Sequence, residues 1–465
     1  MLNLRDHEAE LDRALGRLGQ RSKFAEILAQ GSQGVVVNVD TKSHRASALP
    51  RVAGAVMRAW AGDRWVEAAA SGFDQPTLDR AVDSLERELA ASTSNGSPPG
   101  VSSTTVGSQI QRPARPMSEM SVEQIVDLAQ DYFRWTSAVP GVKNAQSSVG
   151  WWDDERFYLN TAGARCHHVA HRVRGGVVAI TFENGKSEFD YTAQGGLGGA
   201  ELLDAFTEQQ AQDVAHSALE LLHAPAPPTG TMSVLLDNGT TGTFAHESFG
   251  HGTEADQFVR DRSYLKPRLG EQLGPEALTI WDDGSVPGGW GSVAFDDEGH
   301  PGEKTMLIDH GRFVGALHDR DSAAALGAKA TGNTRRSDFL SRAYVRMTNI
   351  CIEPGDMSME ELLEEAGNGV VLEHWTSGME DPLGGQMQLK VQRGHRIENG
   401  KLGGVVTSMA LSGSVLSFLK DIRGIGKLNH PMEIETGFCG KGHGDYLPTG
   451  DGGPYLLSRA VVGPA

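Results

Sequence analysis

Between residues 92 and 118 the chain reads STSNGSPPGVSSTTVGSQIQRPARPMS, almost entirely Ser, Thr, Gly, Pro and Gln. Such a stretch has too little apolar content to build a core of its own, so the sequence predicts a mobile linker there. A second break falls at PAPPTG, residues 225–230, where proline cannot continue the helical pattern before it. The two breaks leave three foldable pieces: 1–91, 119–224 and 231–465.

In the first piece, leucines and alanines at helical spacing over 5–18 and 77–91 predict amphipathic helices, and 34–40 and 54–70 read as strands with turns. The second piece opens with a helix over 121–138, headed by Ser121 with a glutamate close behind. Strands follow from about 143 to 192, and a long helix is expected over 200–224. From 231 onward short strands, many glycines and the turns ENGK (398–401) and DHGR (309–312) dominate. The expected fold class is therefore α+β: an N-terminal α/β region of two subdomains joined by the linker, then a β-rich C-terminal domain, 231–465, that carries the candidate metal site. At 465 residues the chain is long enough for each piece to bury a core.

With 42 basic against 60 acidic residues the net charge is -18, which disfavours nucleic acid and anionic membranes as partners. The adjacent Arg335 and Arg336 do not reverse that, because two neighbouring charges are ordinarily a solvated face. No run of apolar residues is long enough to span a bilayer, and MLNLRDHEAELDRALGRLG lacks the apolar core of a secretory signal, so a cytoplasmic protein is expected. Cys166, Cys351 and Cys439 are too few and too scattered for a disulfide framework.

The chemistry concentrates in TGTFAHESFGHGTEADQF, residues 241–258. His246 and His251 can supply two nitrogen ligands to zinc, and Glu247 a carboxylate able to take a proton from water. The spacing is unusual. Five residues of ideal helix turn roughly 140° past a full revolution, which would point the two imidazoles apart. The sequence thus predicts a distorted helix over 244–252, with a π-type turn and Gly250 as the point where it widens or ends. A second geometry is open: Glu247 and His251, four apart, form the pair on one face and His246 stands outside. A third ligand must come from elsewhere, and Cys439 in ETGFCGKGHGDYLP (435–448) is the candidate thiolate. The rival cluster CHHVAHR (166–172) splits its ligands between the two faces of a strand, so solvent-facing histidines are expected there. Nucleophile-elbow, phosphate-loop and dinucleotide fingerprints are absent.

These residues resemble the TldD/PmbA family, cytoplasmic zinc peptidases and their metal-free relatives. The resemblance rests on HESFGHGTEAD (246–256), FDDEGHPGEKTMLIDHGR (295–312), TGNTRRSDF (331–339), YVRMTNICIEPG (344–355) and CGKG (439–442), in the family's order. It implies zinc held by His246, His251 and Cys439, with Glu247 as general base and acid. It further implies the TldD-like, catalytic branch and hydrolysis of short or unfolded peptides, as in processing of a modified peptide precursor. The expected assembly is a dimer with an enclosed active site, either with a PmbA/TldE-like paralogue or with a second copy, in which an extended peptide could pair with a sheet edge. One departure from the pattern is His443, where a glutamine is expected; it is a candidate fourth ligand or substrate contact. A fully protein-bound fourth position would instead fit a non-catalytic scaffold subunit with structural zinc. Arg346 and Tyr344 are oxyanion candidates, although a structural role in a strand suits both better. The substrate-binding residues are unknown from sequence.

Overall fold

A computed structural model describes residues 3–100, 107–442 and 445–465. Several helices begin where side chains cap them. Asp74 accepts from the Thr77 amide ahead of Gln75–Ala91, with a proline in the first turn, and Ser121 forms a reciprocal capping box with Gln124 ahead of Val122–Ser137. The helix expected over 200–224 starts later, at Glu208. Thr207 and Gln210 form a capping box there, and only a short 3-10 turn, Ala200–Leu202, precedes it. A stronger local cap outcompeted the apolar periodicity.

Most of the N-terminal half is one eight-stranded sheet. The long strand Ala25–Asp40 pairs with Val52–Trp60 on one side and with Val142–Asn160 on the other, so strands from 1–91 and from 119–224 are hydrogen-bonded neighbours. Arg165–Glu183 and Lys186–Leu197 extend the sheet. Within the polar 92–118 segment, Gly107–Ile110 adds a parallel strand against Cys166–Val169, and the Trp60 indole donates to the Gly96 carbonyl at 3.0 Å. Main-chain pairing, rather than apolar burial, sets the course of that stretch; its residues 101–106, and with them that part of the expected linker, lie outside the described residues. The helices Glu8–Gly19 and Gln75–Ala91 cover one region of the sheet and Val122–Ser137 and Glu208–His223 another, each over its own apolar cluster.

The C-terminal half is rich in strand. Gly369–Glu380, Gly230–Leu236, Leu456–Pro464, Met409–Ser414 and Gln386–Glu398 pair in that order, and Gln386–Glu398 pairs back with Gly369–Glu380, closing a ring. A second, six-stranded sheet includes Ile280–Asp283, Asn349–Ile352, Asp445–Gly452 and, at its edge, Gly437–Lys441. The expected turns are hairpins: Asn399 and Gly400 have φ of 53° and 73°, the positive values a two-residue hairpin turn requires. Among the described residues no helix is long and apolar enough to cross a membrane.

A buried ionic cluster joins the halves. Glu26 on the large sheet meets Arg58 at 3.1 Å and Arg320 at 3.0 Å, while Arg58 also meets Glu298 at 2.8 Å.

Candidate metal centre

Asp237 caps a short helix, Asn238–Thr243, by accepting from the Thr240 amide at 2.8 Å. The backbone then widens into a π-turn over Phe244–Phe249 and tightens into a 3-10 turn over Gly250–Thr253. This is the distortion that the five-residue spacing demands. Gly250 lets the turn pack closely: a Cβ there would lie 2.2 Å from Met347 Sδ and 2.8 Å from Ile350 Cδ1, so those side chains would have to shift. Phe244, Ala245 and Phe249 anchor the turn in the main C-terminal core.

The turn brings His246 and His251 together, with ring centroids 5.2 Å apart. Cys439 reaches them from the edge strand Gly437–Lys441, its Sγ 3.2 Å from His251 Nε2. One donor atom from each of His246, His251 and Cys439 lies within 4.8 Å of the others, and His246, not only His251, is part of the cluster. Glu247 sits beside them, Oε1 at 3.9 Å from His246 Nε2 and Oε2 at 3.8 Å from His251 Nε2. Its side chain is 32% exposed against 5% for His246, so the carboxylate stands at the open side of the cluster.

Both ring nitrogens of His246 are buried without a hydrogen-bond partner. Buried polar atoms are rarely left so, and a metal ion would satisfy one of them. Two imidazoles and a thiol form a donor set suited to zinc, with room in its tetrahedral preference for one further ligand. The residues therefore fit the ion. Burial alone would push the Cys439 thiol up, but His246 and His251 overcome it and bring it down to about 4. Burial likewise opposes the imidazolium of His246, and the Cys439 thiolate outweighs it, raising His246 to about 9. In this ion pair the thiol is ionised and the imidazoles carry the proton, which metal binding would have to displace.

Behind the donors lies a supporting layer, part of it within the HESFGHGTEAD and CGKG motifs, to which the sequence assigned no role. Glu254 Oε1 is 3.3 Å from His251 Nδ1, and Lys441 Nζ binds Glu254 at 2.7 Å and Asp256 at 3.0 Å. Burial would raise Glu254, yet Lys441 and His251 hold it down at about 2. Its only sequence signal is the acidic pair three and five residues past His251. Asp451 Oδ2 lies 3.6 Å from His246 Nδ1, in ion-pair reach though beyond hydrogen-bond distance. Nothing in the local sequence marks it. Since such outer partners orient the imidazole, Glu254→Gln is expected to weaken metal affinity by about 10- to 100-fold, read by competition with a chromogenic chelator.

The remaining candidates fall elsewhere. Arg346 is buried and donates to the main-chain carbonyls of Cys439 and, at 3.2 Å, Asp445, so it braces the hairpin that carries Cys439. The Tyr344 ring lies under Lys441, with Nζ 5.6 Å from its centroid. His443 lies outside the described residues. The histidines of 166–172 are not solvent-facing as expected: His167 Nε2 meets Glu155 at 2.8 Å, His171 Nδ1 meets Asp153 at 2.6 Å, and His168 Nδ1 accepts from the Ala294 amide at 3.2 Å. The C-terminal half covers this sheet and supplies the partner for His168.

Comparison with known proteins gives consistent matches. The family models for the PmbA/TldA metallopeptidase C-terminal and central domains match residues 229–462 and 115–222. A metalloprotease of Methanothermobacter thermautotrophicus is 33% identical over 366 residues, 78% of this chain and 79% of that protein. A metalloprotease TldD homolog of Haemophilus influenzae is 30% identical over 362 residues, 75% of this chain and 73% of that protein. The fold is similar to that of TldE from Thermococcus kodakarensis, with a TM-score of 0.74 at 16% identity, covering 98% of this chain and all of that one.

Proposed function

The chain belongs to the PmbA/TldD metallopeptidase family, and from that premise we propose that it is a zinc-dependent peptidase of the TldD-like, catalytic branch, with zinc held by His246, His251 and Cys439. The observation that carries the reading is the convergence of those donors within 4.8 Å, with the Glu247 carboxylate at their open side. Zinc held there would supply Lewis-acid polarisation of the scissile carbonyl and of the attacking water.

The chain's own residues do the rest. Glu247 takes the proton that the attacking water gives up and returns it to the departing amine nitrogen, so one carboxylate serves as base and then as acid. His246 is held by the π-turn and His251 by the 3-10 turn that follows it. Glu254 Oε1 lies 3.3 Å from His251 Nδ1, in ion-pair reach, and Nε2 is the nitrogen that faces Cys439 and Glu247. Arg346 fixes the main chain at Cys439 itself.

The substrates in this proposal are short or unfolded peptides, including a modified peptide precursor, entering an enclosed site in a dimer formed with a PmbA/TldE-like paralogue or with a second copy. A cytoplasmic setting suits a chain whose three cysteines are all buried. The test is hydrolysis of an unfolded peptide library by the purified chain, alone and with a paralogue. Activity abolished by a chelator and restored by about one equivalent of zinc supports the reading; chelator-insensitive hydrolysis, or none under any pairing, contradicts it.

A further inference from the structure

On the face of the Cys439 hairpin opposite the metal centre, a cavity of about 250 Å³ opens between the large sheet and the C-terminal half. The pleat of the strand Gly437–Lys441 separates the two: Cys439 faces the histidines, while its neighbour Phe438 faces the cavity. Trp152, Trp290 and Phe438 form an edge-to-face cluster in its wall, with centroids 5.5, 5.9 and 5.6 Å apart. Phe438 is 46% exposed, an aromatic ring at the mouth rather than in the core.

Three guanidiniums line the same cavity: Arg156 is paired with Asp154 and Asp297, and the other two, Arg172 and Arg335, are each only 4% exposed. Neither has a carboxylate at ion-pair distance among the described residues. Arg172 spends Nε on the Trp290 carbonyl at 2.8 Å and Nη2 on the Ser292 carbonyl at 3.2 Å. Arg335 spends Nη1 on the Met347 carbonyl at 2.7 Å and Nη2 on the Pro448 carbonyl at 2.8 Å. Arg172 Nη1 and Arg335 Nε are left without a protein acceptor among the described residues. Burial lowers both groups, Arg172 to about 10 and Arg335 to about 9, and repulsion from Arg172 adds to the effect at Arg335.

The acids in the lining are engaged elsewhere: Asp154 with Arg156 at 2.9 Å, Asp297 with Arg156 and the Arg336 amide, Asp153 with His171 at 2.6 Å, and Asp296 with the amides of Glu298 and His300 at 2.9 Å and of Thr334 at 3.0 Å. Their charges still repel a dianion, so a phosphate fits this cavity worse than a singly charged carboxylate. A buried guanidinium with no carboxylate at ion-pair distance keeps donor capacity that a bound carboxylate fills through charge-assisted hydrogen bonds.

We propose that this cavity is a binding site for a small aromatic carboxylate, its carboxylate on Arg172 and Arg335 and its ring against Trp152 and Phe438. The carboxylate could belong to a free acid or to the C-terminal residue of a peptide. The site is separate from the metal centre and does not depend on peptidase activity.

The test uses 3-phenylpropionate, which contains no peptide bond, followed by calorimetry and by tryptophan fluorescence, since Trp152 and Trp290 line the cavity. Saturable binding is expected, at least about ten-fold tighter than that of 3-phenylpropionamide or inorganic phosphate, and weakened about ten-fold or more in Arg335→Gln. Because Arg335 is buried, Phe438→Ala provides a second variant at a half-exposed position, also expected to weaken binding. A pentapeptide ending in Phe, titrated into Glu247→Gln, separates the sources: affinity equal to the free acid's assigns the cavity to a chain terminus, weaker affinity to a small acid. Equal binding of acid and amide, preference for phosphate, or no saturable binding overturns the proposal.

Discussion

Glu247→Gln is expected to keep its metal and lose turnover by a factor of about 10² to 10⁴, the range general acid–base catalysis contributes. The substitution preserves size and removes the ability to accept a proton. Glu247 is not one of the three clustered donors, its oxygens lying 3.9 and 3.8 Å from the imidazole nitrogens, so metal content should not change. Its backbone position should hold as well, because the π-turn is anchored by Phe244, Ala245 and Phe249 rather than by the exposed carboxylate. Metal analysis beside kcat on one peptide separates the two effects. Wild-type turnover in this variant would remove Glu247 from the chemistry.

The second large effect concerns stability. Arg320→Met is expected to destabilise the chain by about 3–5 kcal/mol, the usual cost of removing one partner from a buried ionic group. The Arg320 side chain is fully buried; Nη2 contacts Glu26 at 3.0 Å and also donates to the Glu298 carbonyl at 3.0 Å. Its loss leaves Glu26 and Glu298 to share Arg58 alone. The cluster joins the large sheet to the C-terminal half, so the urea midpoint should fall for the whole transition rather than for a local segment. An unchanged midpoint would mean that water replaces the lost guanidinium at no cost.

Local signals in this sequence translate directly into structure. Ser121 opens its helix, Asn399 and Gly400 turn their hairpin, and the five-residue spacing of His246 and His251 calls for a π-turn. Cys439 was legible for a chemical reason, since a thiol beside a glycine-rich loop stood out among few cysteines. What the sequence does not reveal is long-range pairing. The contact of Glu254 with Lys441 joins residues 187 positions apart, and nothing local announces it. Asp451 reaches His246 only because Asp445–Gly452 pairs parallel with Asn349–Ile352 beneath the turn. For the same reason His167, His168 and His171 looked like surface residues: the acids on Val142–Asn160 and the covering C-terminal half that bury or bind them come from other segments.

The most direct test of the account is the zinc content of the chain, purified without chelators, beside that of His246→Ala and Cys439→Ala. The account predicts about one zinc per chain in the wild type and loss from both variants, because each removes one of three donors drawn from segments almost two hundred residues apart. Zinc retained in both variants, or absent from the wild type, would contradict a metal centre built by His246, His251 and Cys439.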